Sequence, residues 1–175
     1  MPQDFHYRSP TVGLHWLTAG LIAALWLSAQ IIDILRHGTP AAYLQSFHFT
    51  LGAMLALVLA IRILWRLTAG CSPKGAHPEL LEQIARVTHY ATYAVAGTVV
   101  LPGCLTVRMQ GDTIWNLVPI PAYDPGNITL GRQMRGCHSV AANLILILAG
   151  QHAAAALFHH DVPRDEVLRR MLPRL

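Results

Sequence analysis

The sequence has 175 residues, 53% of them hydrophobic and only 13% charged, with a net charge of +4. A soluble domain carries about 25% charged residues, so this composition excludes an ordinary soluble fold and predicts one membrane domain spanning 1–175. No nucleic-acid motif accompanies the positive balance, which reads as membrane topology; the expected surroundings are lipid, and nucleic acid is not a partner.

Four apolar segments are long enough to cross a bilayer: Thr11–Ile34, Tyr43–Trp65, Ile84–Val107 and His138–His159. They predict an all-α integral membrane four-helix bundle. The first begins too late and runs too long for a cleaved signal peptide, and no small-residue cleavage site follows it. It opens with Gly13-Leu14-His15-Trp16-Leu17, which puts His15 one turn inside the span beside an interfacial Trp. Asp33 ends it, and RHGTP (36–40) makes a short turn.

The second span carries His48 near its start (SFHFTLG) and Arg62 and Arg66 at its end. Those two arginines are four residues apart on one face. They reach headgroups or, on a second reading, pair with acidic substituents of a buried cofactor. Residues 68–82, rich in Gly, Pro and small polar types, form a loop. The third span has His89 near its start, with Tyr90 and Tyr93 close by, and is broken by Pro102-Gly103. Met109–Cys137 is the longest connection, and its Trp115–Pro121 stretch suggests a short interfacial helix.

The basic residues divide unevenly. Nine of the 13, including Arg62, Arg66, Lys74 and the C-terminal arginines, fall on the side of the termini. Arg36, Arg108, Arg132 and Arg135 fall on the other. The positive-inside rule then puts both termini in the cytoplasm. No acidic residue lies in the membrane interior, which argues against a cation-coupled transporter.

Ten histidines, against nine Asp and Glu together, are the anomaly of the composition. His138 and His152 share the last span, 14 residues apart, which is just under four helical turns and about 21 Å on one face. Helix direction then pairs the candidates by depth, His15 with His152 and His48 with His138. Titratable groups at membrane depth mark a functional site by default. Two facing imidazoles per leaflet suit bis-histidine axial ligation of haem, because the porphyrin supplies the other four nitrogens. Gly13, Gly52, Ala53, Gly150 and the alanines at 153–156 would make room for it. Zinc wants about four ligands per site; Cys104 and Cys137 leave it open at the outer depth, whereas the inner pair has no such donors. Copper held by two histidines would keep open positions. Four buried histidines bonded to neighbouring backbone are the structural alternative.

The stretches GLHWL, SFHFTLGAMLALVLAIRILWR, DTIWNLVPIPAY and CHSVAANLILILAGQHAAAALFHHDVPRDEVLRRMLP resemble the bacterial cytochrome b561 family along essentially the whole chain. The resemblance implies a four-span b-type cytochrome of the bacterial inner membrane. It implies two haem b groups, with axial ligands at His15, His48, His138 and His152. The third span fits least well, since His89 stands further from Leu101-Pro102 than the family's histidine does. Similar proteins oxidise superoxide at the outer face and reduce ubiquinone; others are cytochrome b subunits passing electrons between quinol and a partner dehydrogenase. An oxidoreductase of the superoxide:ubiquinone type is therefore the leading expectation. Arg36, Arg108, Arg132 and Arg135 would steer a small anion to the outer haem or, on the plainer reading, are ordinary loop cations. His159, two turns beyond His152, would bond a quinone carbonyl or, with His160, cap carbonyls at the helix end.

Overall fold

A computed structural model describes residues 9–35, 38–68 and 79–162. Four long helices dominate it: α1 (Ser9–Leu35), α2 (Thr39–Thr68), α3 (Glu79–Gln110) and α4 (Ile128–Asp161). Each contains a stretch long and apolar enough to cross a membrane. In such a setting every hydroxyl must find a partner within the protein. Thr18, Thr50, Thr92, Thr98 and Thr106 accordingly donate to the carbonyl four residues back, at 2.7–2.9 Å.

All four helices outrun the apolar segments that announce them. α4 begins at Ile128, ten residues before His138, because Asn127 caps it by accepting the Leu130 amide at 3.1 Å. Arg132 and Arg135 therefore stand on the first turns of a helix, and the connection between α3 and α4 shrinks to 111–127. α2 starts on Thr39-Pro40, with proline in the first turn where its missing amide costs nothing. Gly111, at φ +74°, ends α3 in the left-handed conformation that a side chain would resist.

Trp115–Pro121 is not a helix. Strands β1 (Asp112–Ile114) and β2 (Val118–Ile120) pair antiparallel, with Thr113 opposite Pro119. Pro119 and Pro121 have no amide to give a helix, whereas an edge strand tolerates them. Trp115 and Asn116 both take positive φ (56° and 55°), the backbone that the tight turn of a hairpin demands.

The hairpin lies against α2. The Trp115 amide donates to Ser46 Oγ at 3.0 Å and its indole N–H to Thr50 Oγ1 at 3.1 Å; Gln45 Nε2 donates to Asp112 at 3.1 Å. Ser46 and Thr50 share one face of α2, and His48, midway between them, is rotated by about 200° onto the other.

The helices pack as two antiparallel pairs. α1 runs along α2 and α3 along α4, while α2 and α3 meet over a short stretch. Thr11 and Trp65 are bonded at one end of the first pair (3.2 Å), and Ser28 and His48 at the other. The core is a single apolar cluster of Leu21, Leu55, Val58, Leu59, Ala96 and Ile145, drawn from all four helices. Ile145 stands seven residues from His138 and seven from His152, so the cluster separates the two levels of histidine.

Candidate haem site between the two helix pairs

Position on the helices brings the four histidines together in twos. The His15 and His152 ring centres are 6.1 Å apart, and those of His48 and His138 are 6.2 Å apart. Both contacts reach from the α1–α2 pair to α4. These are the pairs that helix direction alone matches by depth. An iron shared by two imidazoles, about 2 Å from each ring nitrogen, holds the ring centres roughly 6 Å apart. The residues present fit a bis-histidine haem on that count.

The His48–His138 pair fits it on a second count, the placement of protons. Ser28 Oγ lies 2.7 Å from the Leu25 carbonyl, which can only accept, so the hydroxyl proton is spent there. The contact of 2.8 Å between Ser28 Oγ and His48 Nδ1 must then be a donation from the ring. His138 Nδ1 lies 2.7 Å from the Val99 carbonyl and must donate likewise. Both rings carry their proton on Nδ1, which leaves each Nε2 with a bare lone pair. That is the tautomer a metal ligand needs, held by the hydrogen bond that ligating histidines usually make.

The seat of His138 is built by Pro102-Gly103. Val99 lies three residues before Pro102, in the turn whose regular bonding the proline interrupts. A Cβ on Gly103 would stand 3.0 Å from His138 Nδ1 and 3.1 Å from its Cε1, so glycine lets the ring approach α3 this closely. By contrast, Gly13, Gly52 and Gly150 have open space where a Cβ would be. Trp26 Nε1 adds a third sign. It is buried without a hydrogen-bond partner, 11 residues from His15 and so on nearly the same face of α1. A buried donor without an acceptor is costly, as expected of a cleft shaped for a bound group.

Zinc does not fit the donors. Cys104 and Cys137 are free and exposed, and among the described residues no three of His, Cys, Asp and Glu converge. Pairs of imidazoles suit a macrocycle that brings its own equatorial ligands.

The arginines singled out for steering are mixed in role. Arg108 donates to the Pro121 carbonyl and lies 5.8 Å from the Tyr123 ring centre, so it ties α3 to the connection. Arg135 Nη2 donates to Gln110 Oε1 at 2.8 Å, holding α4 to α3. Arg132 is exposed. Arg36 lies outside the described residues, as do the side chains of His89 and His159. Arg62 and Arg66 each sit over a tyrosine of α3, Tyr93 at 5.5 Å and Tyr90 at 5.9 Å.

Sequence reasoning missed Ser28, the Val99 carbonyl and Gly103. Pro102-Gly103 was visible as a break in an apolar run, but its task of seating His138 was not. Ser28 is one small hydroxyl whose proton its own helix takes up at Leu25, so nothing in the sequence marks its second bond.

Comparisons with known proteins agree with this arrangement. Residues 6–174 match the family described as prokaryotic cytochrome b561. The chain is 28% identical over 174 residues to a probable superoxide oxidase, CybB, of Yersinia pestis, and the match covers 96% of each. It is 28% identical over 177 residues to cytochrome b561 homolog 2 of Escherichia coli K12, covering 95% of this chain and 90% of that one. It is 25% identical to cytochrome b562 of Cereibacter sphaeroides over 98% of each.

Proposed function

Because the chain belongs to the prokaryotic cytochrome b561 family, we propose that it passes electrons from superoxide at the outer face of the bacterial inner membrane to the ubiquinone pool. Family membership makes it a haem b-binding, multi-pass membrane protein whose activity is electron transfer. The donor, the acceptor, the number of haems and their ligands belong to the proposal.

Two haems are proposed, one on His15 and His152 and one on His48 and His138. The observation that carries this reading is the pair of ring separations, 6.1 and 6.2 Å, at two depths between the helix pairs. Haem iron at each pair would take up and release one electron. The protein's own contribution is orientation. Ser28 and Val99 keep the Nδ1 protons of the outer rings, and Gly103 lets one ring approach α3. The cluster around Leu21 and Ile145 keeps water out between the two levels.

The surplus of basic residues at the His15 end supports a cytoplasmic location for both termini. The outer face then carries Arg36, Arg108, Arg132 and Arg135, which raise the local concentration of a small anion. His159 is the residue proposed to bond a quinone carbonyl, since an imidazole can both donate to it and relay a proton. A second reading, a cytochrome b subunit that docks a partner dehydrogenase, is favoured by the hairpin. Its Leu117 and Val118 are 81% and 57% exposed at the outer end.

The test is a reduced-minus-oxidised spectrum with haem quantitation on purified protein, followed by rapid mixing with superoxide. Two haems per chain and superoxide-dependent reduction are expected. One haem per chain would overturn the dihaem reading. Reduction only by a copurifying dehydrogenase would favour the subunit. Normal quinone reduction in His159→Ala, at unchanged haem content, would remove His159 from the quinone site.

A further inference from the structure

Arg62 and Arg66 have no part in the histidine site, yet both are held in place. Each guanidinium rests on a phenol ring across the α2–α3 seam, over Tyr93 and Tyr90, and cation–π contact fixes where the charge sits. Between these helices lies a cavity of about 320 Å³ lined by Ile63, Arg66, Leu67, Tyr90 and Tyr93. It combines one cation and two phenols with an apolar wall. That wall faces outward, with Leu67 79% and Tyr90 60% exposed, toward the position of acyl chains.

Its depth is fixed by the neighbouring residue. Trp65 is bonded to Thr11, four residues before His15, so Arg66 lies near the membrane surface at the His15 end. That end also carries the excess of basic residues.

We propose that the α2–α3 seam binds an acidic phospholipid, its phosphate on Arg66 and one acyl chain along Ile63 and Leu67. Arg offers two parallel N–H donors to phosphate oxygens, and a tyrosine hydroxyl can add a third. Arg62, one turn deeper, adds positive potential, so a headgroup with net negative charge is preferred over a zwitterion whose ammonium offsets the attraction. A neutral quinone would gain hydrogen bonds to its carbonyls but no attraction between net charges, whereas a phosphate gains both. Protein contact at the seam is thin, since α2 and α3 meet over a short stretch while α1 packs along α2 and α3 along α4. A lipid there fastens the two helix pairs to each other.

The experiment is native mass spectrometry of the haem-loaded protein, released from nanodiscs of phosphatidylethanolamine containing a minor fraction of phosphatidylglycerol. The wild type should retain phosphatidylglycerol beyond its share of the bilayer. Arg66→Gln should reduce that retention by about tenfold, the loss of one charge-assisted bond, whereas Arg132→Gln at the other end should leave it unchanged. Arg66→Lys should fall between the two, which separates loss of charge from loss of fold. Retention of phosphatidylglycerol only in proportion to its share of the bilayer, or unchanged retention in Arg66→Gln, would overturn the proposal. So would haem loss in Arg66→Gln, which would assign the guanidinium to a cofactor's acids. Copurifying quinone that the same substitution removes would overturn it as well.

Discussion

Ser28 fixes the tautomer of His48 from 20 residues away, by accepting the Nδ1 proton at 2.8 Å with a hydroxyl already committed to the Leu25 carbonyl. Ser28→Ala leaves His48 in place but removes the acceptor. Haem affinity at the His48–His138 pair should fall about 10- to 100-fold, the usual cost of losing such an outer-shell partner. A haem titration of the purified variant reads it; an unchanged affinity would show that Ser28 only packs.

His138→Ala and His152→Ala should each leave about half the haem, because each would remove one ligand from one of the two proposed iron sites. Haem per chain, with the α band of the remaining centre, distinguishes them. Full occupancy in either variant would count decisively against the ligand assignment.

Gly103→Ala places a Cβ 3.0 Å from His138 Nδ1 on a ring already bonded to Val99. The ring must give way by a few tenths of an ångström, which strains that bond. Haem occupancy at the outer pair should drop several-fold, roughly as for loss of an outer-shell partner. Gly97→Ala, on the same helix with no atom within 4 Å of the new Cβ, should leave it unchanged. Parallel loss in both variants would mean that α3 is merely intolerant of substitution.

Arg132→Gln should slow reduction by superoxide about two- to tenfold at low salt, and the wild-type rate should fall as ionic strength rises. Arg135→Gln also releases Gln110, so its effect mixes steering with packing. Stopped-flow rates across a salt series decide it. Rates that match the wild type at low salt would reduce Arg132 to a topology determinant.

The architecture was legible because membrane burial leaves a strong trace in sequence. Apolar runs marked four spans, and helical spacing set His138 and His152 on one face. Antiparallel direction then chose their partners, and the rings do meet as 15 with 152 and 48 with 138. The start of α4 was less legible. Hydropathy stops at the polar residues around Arg132 and Gln133, whereas helix formation depends on propensity and on the Asn127 cap. The hairpin was misread for a related reason. Its turn is made by Trp115 and Asn116 at positive φ, without the glycine that announces such turns. Ser28 and Gly103 were invisible because their roles exist only across helices.

The pairing of α1 with α2 and of α3 with α4 has a consequence for the life of the protein in the cell. Each pair is a contiguous stretch of chain that can insert as it is made, whereas haem held between the pairs would join α1 and α2 to α4. A ligand that binds only the assembled form raises its stability by mass action. In cells starved of haem precursors, both pairs should insert normally and then be cleared faster, because a loosened bundle is open to proteases for more of the time. A pulse-chase with and without precursor reads the half-life; equal half-lives would mean that the two halves hold together by themselves. The abundance of this cytochrome would then follow haem supply with no regulator between them.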